Sequence, residues 1–215
     1  MILDAALPSK SGRISLVPPA EADDTAVSAL RSHPDTRRYL RFLPPHFPPS
    51  EARARRLARE GDKSLIDFHI HSRAVDADAP RTFVGTTGVF HVDTACARSC
   101  EVGILIAPAH MRGGLATEAL HAVLAFVFAE RGAAGGGLAL HRAEFQTGED
   151  NAPMRGWLEA AGATLEGTRR AAWIDPASGG YTSVCVYGVL EEEWKARVRG
   201  RLEARIDRSL SVRRL

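Results

Sequence analysis

Residues 104–120, ILIAPAHMRGGLATEAL, change their periodicity halfway through, and this change constrains the fold more than any other stretch. The first half is a short apolar run of the kind strands use, and LATEAL is built mostly from good helix formers. Gly113 and Gly114, poor helix residues, stand where the helix should begin. A strand therefore turns into a helix through a glycine-bearing loop. A helix N-terminus presents unsatisfied N–H groups and the positive end of the dipole. Glycines before it let an anion approach the backbone with no Cβ in the way. A phosphate or pyrophosphate is the natural guest, and a purely structural turn is the alternative. Neither GxGxxG nor GxxxxGK[ST] occurs here.

The flanking sequence places this element in a sheet. GRISLVPP (12–19) alternates and reads as a first strand, followed by a helix in AEADDTAVSALRSH (20–33). Five prolines make 34–50 a loop, with a short helix expected in TRRYLRF. SEARARRLAREG (50–61) is a charged helix with Ser50 as its expected N-cap and Gly61 at its end. SLIDFHIHS (64–72), RTFVGTTGVFHVD (81–93) and SCEVGILIAP (99–108) supply strands two to four. The helix that follows repeats Leu120, Leu124, Val127 and Phe128 on one face. After a connection with Gly132, Gly135, Gly136 and Gly137 come strand HRAEFQTGE, helix APMRGWLEAAG, and a hairpin of TLEGTRRAAWID with YTSVCVYGVL. Mostly adjacent strands, with helices after the first, fourth and fifth, imply an α+β fold and not a doubly wound parallel sheet.

The 215 residues fit one ordinary domain, and 45% hydrophobic with 25% charged residues is a soluble, globular balance. MILDAALPSKSG has neither the basic start nor the apolar core of a secretory signal. The apolar run AVLAFVFA is far shorter than the roughly 20 residues that span a bilayer, so no membrane partner is expected. Three cysteines, few and odd in number, suit a reducing compartment, and the cytoplasm is the expected location. Cys96 and Cys100 lack a second Cys/His pair at ligand spacing, so no metal is expected. Net charge is only +2, with eight Lys/Arg after residue 194 against Glu203 and Asp207. Such a distribution does not indicate a nucleic-acid-binding surface.

The run EVGILIAPAHMRGGLATEAL, then HRAEFQTGEDNAPMRGWLEAAG, then YTSVCVYGVLEEEW resembles the GNAT superfamily of acetyl-CoA-dependent N-acetyltransferases. The ribosomal-protein N-terminal acetyltransferase-like branch is the nearest in pattern. The resemblance spans about residues 12–194, most specifically 101–170. It implies a central mixed, mostly antiparallel sheet of six to seven strands flanked by helices and splayed between strands four and five. It also implies a domain at 1–194, with 195–215 as an extension, and acetyl-CoA or CoA as cosubstrate. The pyrophosphate loop would be Met111, Arg112, Gly113, Gly114, Leu115, Ala116 and Thr117. Ile104, Leu105 and Ile106 would pair with the pantetheine arm, and Asn151 would contact it. Met111 replaces the usual Gln or Arg, Met154 a frequent Ser, and Leu158 the tyrosine acid of other members.

Direct acetyl transfer needs a neutral amine, a polarised thioester carbonyl and a proton for the leaving thiolate. Glu101, opening strand four, is the favoured base, with a solvated strand-end carboxylate as the alternative. Glu144, sharing a face of strand five with Gln146, is the second candidate, set against an ion-paired role. His91 and His141 read as structural. Asn151 also fits as the cap of its helix, before Pro153. Tyr39, Phe42 and the prolines at 44–49 read equally as a substrate lid or as surface packing. Trp194, Val198, Leu202, Ile206 and Leu210 recur every four residues among arginines. This tail helix either packs on its own domain, forms a homodimer contact, or binds nucleic acid or membrane. The expected activity is N-acetyl transfer from acetyl-CoA to a primary amine, on a small molecule or a peptide N-terminus, by a monomer or homodimer. The competing reading is a catalytically silent CoA-binding module.

Overall fold

Alternation of apolar residues in seven segments, plus one short edge pair, assembles a single eight-stranded sheet in the computed structural model. The structure describes residues 6–72, 81–133 and 136–212. Residues 1–5 of the N-terminal segment, Gly135, and residues 213–215 of the tail lie outside these. The strands are β1 (Leu7–Pro8), β2 (Ile14–Val17), β3 (Ile66–Ser72), β4 (Thr82–Asp93), β5 (Ser99–Ile106), β6 (Arg142–Gly148), β7 (Thr164–Asp175) and β8 (Gly180–Leu190). Their order is β1-β2-β3-β4-β5-β6-β8-β7. Every neighbouring pair is antiparallel except β5 with β6, which is parallel. The sheet thus has the mixed, mostly antiparallel α+β form, with β1 added to the expected six or seven strands. The fourth strand of the sequence reading is β5.

In β3, Ile66, Phe68 and Ile70 point into the core as their spacing requires. After β2 come α1 (Asp24–Ser32), α2 (Pro34–Arg37) and α3 (Pro49–Glu60). The short helix begins at Pro34, upstream of its expected place, because Pro34 fixes φ at the first position and the His33 side chain accepts from the Asp35 N–H at 3.1 Å. Ser50 is not an N-cap. Pro49 occupies the first turn, so the cap position falls on Pro48 and Ser50 lies inside α3.

Helix α4 (Leu115–Phe128) crosses from β5 to the parallel β6. The expected single apolar face is too narrow a description, since it is buried almost all round. The sheet covers one side, and the C-terminal segment covers the other. That segment is α6 (Glu191–Glu193), a π-turn at Trp194–Val198, and α7 (Arg199–Val212). Trp194 stacks on Phe128 at 5.9 Å between ring centroids, and Val198 and Leu202 join the main core. Ile206 is buried and Leu210 is half-buried. The fifth helix in chain order, α5 (Ala152–Ala161), also touches α7. No helix among the described residues is long and apolar enough to cross a membrane.

Leu202 is fully buried beneath α7. Leu202→Ala should therefore lower unfolding free energy by about 2–5 kcal/mol, the range for cavity-forming truncations. Chemical denaturation measures this; a loss under about 1 kcal/mol would mean that α7 is peripheral to the cooperative unit.

Candidate functional site

Strands β5 and β6 stay together for only three register positions: Ser99 with Arg142, Cys100 with Ala143, and Glu101 with Glu144. Beyond Glu101 they part. A cavity of about 940 Å³ opens in the gap. Its walls include Glu101, Ile104, Leu105 and Ile106 from β5, Met111, Arg112 and Ala116 from the loop and α4, and Gln146 and Asn151 opposite. A second cavity of about 480 Å³ shares Ile106, Met111, Arg112, Ala116 and Trp157 with the first. It adds Gly113, Gly114, Leu115 and Thr117, together with Arg205 and Ser209 of α7. The residues singled out from strand four, the glycine loop and Asn151 thus line two cavities with a common wall. Arg205 and Ser209 were not foreseen.

Backbone conformation explains the glycines. Gly114 is the N-cap of α4 at φ 78°, in the left-handed region, and no side chain caps the helix there. Arg112 is also left-handed, at φ 61°. Behind the loop, Glu118 is fully buried, and its carboxylate accepts from Arg13 Nε at 2.6 Å and from the Ser11 hydroxyl. Arg13 also donates to the Gly113 carbonyl at 3.4 Å and to Ser209 Oγ at 3.5 Å. One buried ion pair therefore ties β2, the loop, α4 and α7 together. Trp157 Nε1 donates to Thr117 Oγ1 at 3.1 Å, which occupies the Thr117 hydroxyl and joins α5 to α4.

Glu101 stands at the apex of the splay. Its carboxylate lies 3.3 Å from His91 Nδ1 and accepts from Gln146 Nε2 at 3.4 Å. His91 reaches it from a bulge in β4, where the register shifts and His91 adopts φ 51°. His91, expected to be structural, makes this contact from an exposed position, and a bulge leaves no mark in hydrophobic alternation. Burial raises the Glu101 pKa above the ordinary carboxylate value; His91 pulls it back down, and Glu144 adds to the rise. Glu144 does not line the cavity. Arg142 donates to it at 3.1 Å and Gln146 at 2.9 Å, and Arg142 is also forked onto Glu166.

Asn151 caps α5, accepting from the Met154 N–H at 3.3 Å and donating to Thr147 Oγ1 at 3.0 Å. Met154 lines the cavity, whereas Leu158 is fully buried in the core. Tyr39 and Phe42 are both in the cavity wall, and Phe42 meets Trp173 of β7 edge-on at 5.2 Å. Arg41, between them, donates to Thr182 Oγ1 at 2.8 Å and pairs with Asp150, fastening this loop to the far side of the sheet.

Among the described residues, Asp23, His69 and His71 have donor atoms within 4.8 Å of one another. His69 Nδ1 and His71 Nε2 lie 2.7 and 2.8 Å from the same Asp23 oxygen. These are hydrogen-bond spacings, shorter than the roughly 3.3 Å between ligands on a tetrahedral zinc with bonds of about 2.0–2.1 Å. Cys96 is exposed and Cys100 buried, with no further ligand residue grouped with either among the described residues.

A mixed sheet splayed between two parallel strands, with a glycine-opened helix at the splay, defines an acetyltransferase-type fold. The chain belongs to the acetyltransferase (GNAT) domain family, whose pattern it matches over residues 13–164. Solved structures agree on the fold. The spermidine N-acetyltransferase of Vibrio cholerae, in complex with CoA and spermine, is 19% identical with a TM-score of 0.71, covering 85% of this chain and 98% of its own. Mycobacterium smegmatis RimJ, in complex with CoA-disulfide, is 21% identical with a TM-score of 0.72, covering 93% and 92%. A GCN5-related N-acetyltransferase from Brucella melitensis is 21% identical with a TM-score of 0.71, covering 93% and 84%. The comparison with curated proteins finds no match.

The raised pKa of Glu101 has a consequence for stability. A carboxyl whose pKa is higher folded than unfolded favours the fold fully below the unfolded value, and that contribution is lost as pH rises through the folded value. Glu101→Gln removes the ionisation. The variant should unfold at a higher temperature than the parent at pH 7, with the gap closing as pH falls towards 4. A parent more stable than the variant at pH 7 would show that Glu101 is held by favourable pairing instead.

Proposed function

We propose that this chain is an acetyl-CoA-dependent N-acetyltransferase acting on a primary amine. The single observation that carries the reading is the meeting of three features along two cavities that share a wall: the open edge of β5, the glycine loop at the start of α4, and a half-buried carboxylate at the apex. Amides of Met111 to Thr117 would hold the pyrophosphate at the α4 N-terminus, and the Arg112 and Arg205 side chains line the same cavity. Ile104, Leu105 and Ile106 offer a strand edge that no β6 residue fills, a place for an amide-bearing arm to pair. Asn151 caps α5 and, from the cavity wall, would also contact this arm. CoA in the structures of the Vibrio cholerae and Mycobacterium smegmatis proteins supports the cosubstrate.

In this reaction the amine nitrogen attacks the thioester carbonyl, the C–S bond breaks, and the acetyl group passes to nitrogen. A strand N–H polarises the carbonyl. Glu101, held by His91 and Gln146, accepts the proton that nitrogen loses, and the departing thiolate takes up a proton. Glu144 acts through Glu101, raising its proton affinity by like charge. The acceptor class extends from small molecules to peptide N-termini, the latter in keeping with the ribosomal-protein branch that the sequence resembles.

Acetyl-CoA at a hundred times its dissociation constant should stabilise the fold by about 2.7 kcal/mol. Differential scanning fluorimetry with millimolar acetyl-CoA and CoA measures this, and an unmoved transition with both would end the reading. Glu101→Gln should lower turnover about 10²-fold, the low end for general base catalysis, with acetyl-CoA affinity unchanged. The deficit should narrow at high pH, where more of the amine is already neutral. Retention of more than half the parental rate near pH 7 would remove Glu101 from the base role.

A further inference from the structure

The wall of the larger cavity away from the glycine loop is built from α1 and α3, and it is rich in arginine. Arg31, Arg55, Arg56 and Arg59 all line it. Two of them are neutralised. Arg56 forks onto Asp24, with both contacts at 3.0 Å, and Arg59 onto Asp67, whose second contact is 2.9 Å. Arg31 and Arg55 have no carboxylate partner among the described residues. Arg31 lies over the Phe47 ring at 5.1 Å, and its Nε is buried without a hydrogen-bond partner. Thr36 Oγ1, in the same wall, is likewise buried and unpartnered. A buried guanidinium N–H and a buried hydroxyl without partners are unfavourable unless something completes them.

We infer that Arg31 and Arg55, with Thr36 in the wall of the same cavity, form an anion-binding end of the acceptor site. The acceptor is then a primary amine that also carries a carboxylate or another small anionic group. This rests on the N-acetyltransferase reading for the amine end at Glu101, and on the cavity wall alone for the anionic end. The phosphates of CoA do not account for these arginines, because neither α1 nor α3 contributes to the cavity around the glycine loop. Their electrostatics agree: burial, with Arg55 and Arg59 nearby, pushes the Arg31 pKa down to about 10, and burial with Arg59 nearby lowers that of Arg55, Asp67 offsetting only part of either effect. A bound anion relieves both effects. A guanidinium fork matches a carboxylate or phosphate edge in two parallel hydrogen bonds. A polycation would meet like charge on this wall.

The test is calorimetric titration of the full chain, with and without CoA, using amines in matched pairs. Glycine, β-alanine, 4-aminobutyrate and 6-aminohexanoate are each set against their carboxamides. O-Phosphoethanolamine is set against ethanolamine, and tripeptides with Asp against those with Asn at the second position. These arms separate carboxylate, phosphate and acidic-peptide sources of the anion, with spermidine as the polycation. At least one charged member should bind about tenfold or more tightly than its neutral twin, as expected for a charged hydrogen bond. Arg55→Gln, on the helix surface of the wall, should abolish most of that preference while leaving CoA affinity and the neutral twin unchanged. Arg31→Gln should do the same where it folds. Equal binding of all twins, spermidine as the tightest ligand, or a preference that survives Arg55→Gln would each overturn the inference. A failure of CoA to bind is read separately and bears on the acetyltransferase reading, since the twin comparison is also made without it.

Discussion

The end of pairing between β5 and β6 at Glu101 and Glu144 is the constraint from which the rest of the site follows. Parallel strands need a crossover, and α4 supplies it, so its N-terminus lies at the end of β5 where the gap is widest. The carboxylate at the apex, the open strand edge and the uncapped helix start therefore follow one another along a single gap. None would be tolerated in a closed sheet, because unpaired backbone groups need partners. The buried Arg13–Glu118 pair fixes the geometry by anchoring the loop from behind, with Ser209 extending the same contact to α7. Removing either partner would leave a buried charge uncompensated, so this pair specifies the loop's position more than it adds stability.

Local pattern made the framework legible. Alternation in Ile66, Phe68 and Ile70, the break at Gly113 and Gly114, and the Asn151–Pro153 start of α5 each follow from near-neighbour physics, and the structure places them accordingly. What escaped the sequence reading depends on long-range contact. Arg13 and Glu118 are 105 positions apart, Asp23 and His69 46 apart, and nothing in either segment signals the other. The approach of His91 to Glu101 depends on a bulge that composition does not show. Nothing in the sequence separates Arg31 and Arg55 from the other arginines of these helices; only the pairing of Arg56 with Asp24 and Arg59 with Asp67 shows which cations are left over. Ser50 failed as a cap for a local reason, since Pro49 already opens the helix.

Stability and site chemistry oppose one another at the apex. Burial raises the pKa of Glu101 and so weakens the fold where the group is ionised, while the same proton affinity suits it to accept a proton from an amine. The α7 segment contributes on the other side of this balance. Trp194, Val198, Leu202 and Ile206 extend the core over the outer face of α4, so the helix carrying the proposed phosphate site is buried on both sides. A rigid α4 suits a site whose donors must stay aimed.

The same packing bears on how the leaving thiolate is protonated in the proposed reaction. Leu158, at the position where other members of the superfamily carry a tyrosine, is fully buried, and Met154 presents no proton to the cavity. Replacing Leu158 by tyrosine would place a hydroxyl in a filled core, with an overpacking cost of about 1–3 kcal/mol. The lack of an acid at this point is thus built into the packing and is not a simple vacancy that one substitution restores. Proton balance does not require it. Acylation releases one proton from nitrogen, which Glu101 accepts, for each thiolate formed, and a thiol pKa of about 8.5 lets solvent protonate sulfur near neutral pH. Demand therefore falls on the base side, where Glu101 is held by His91 and Gln146 beside the cavity.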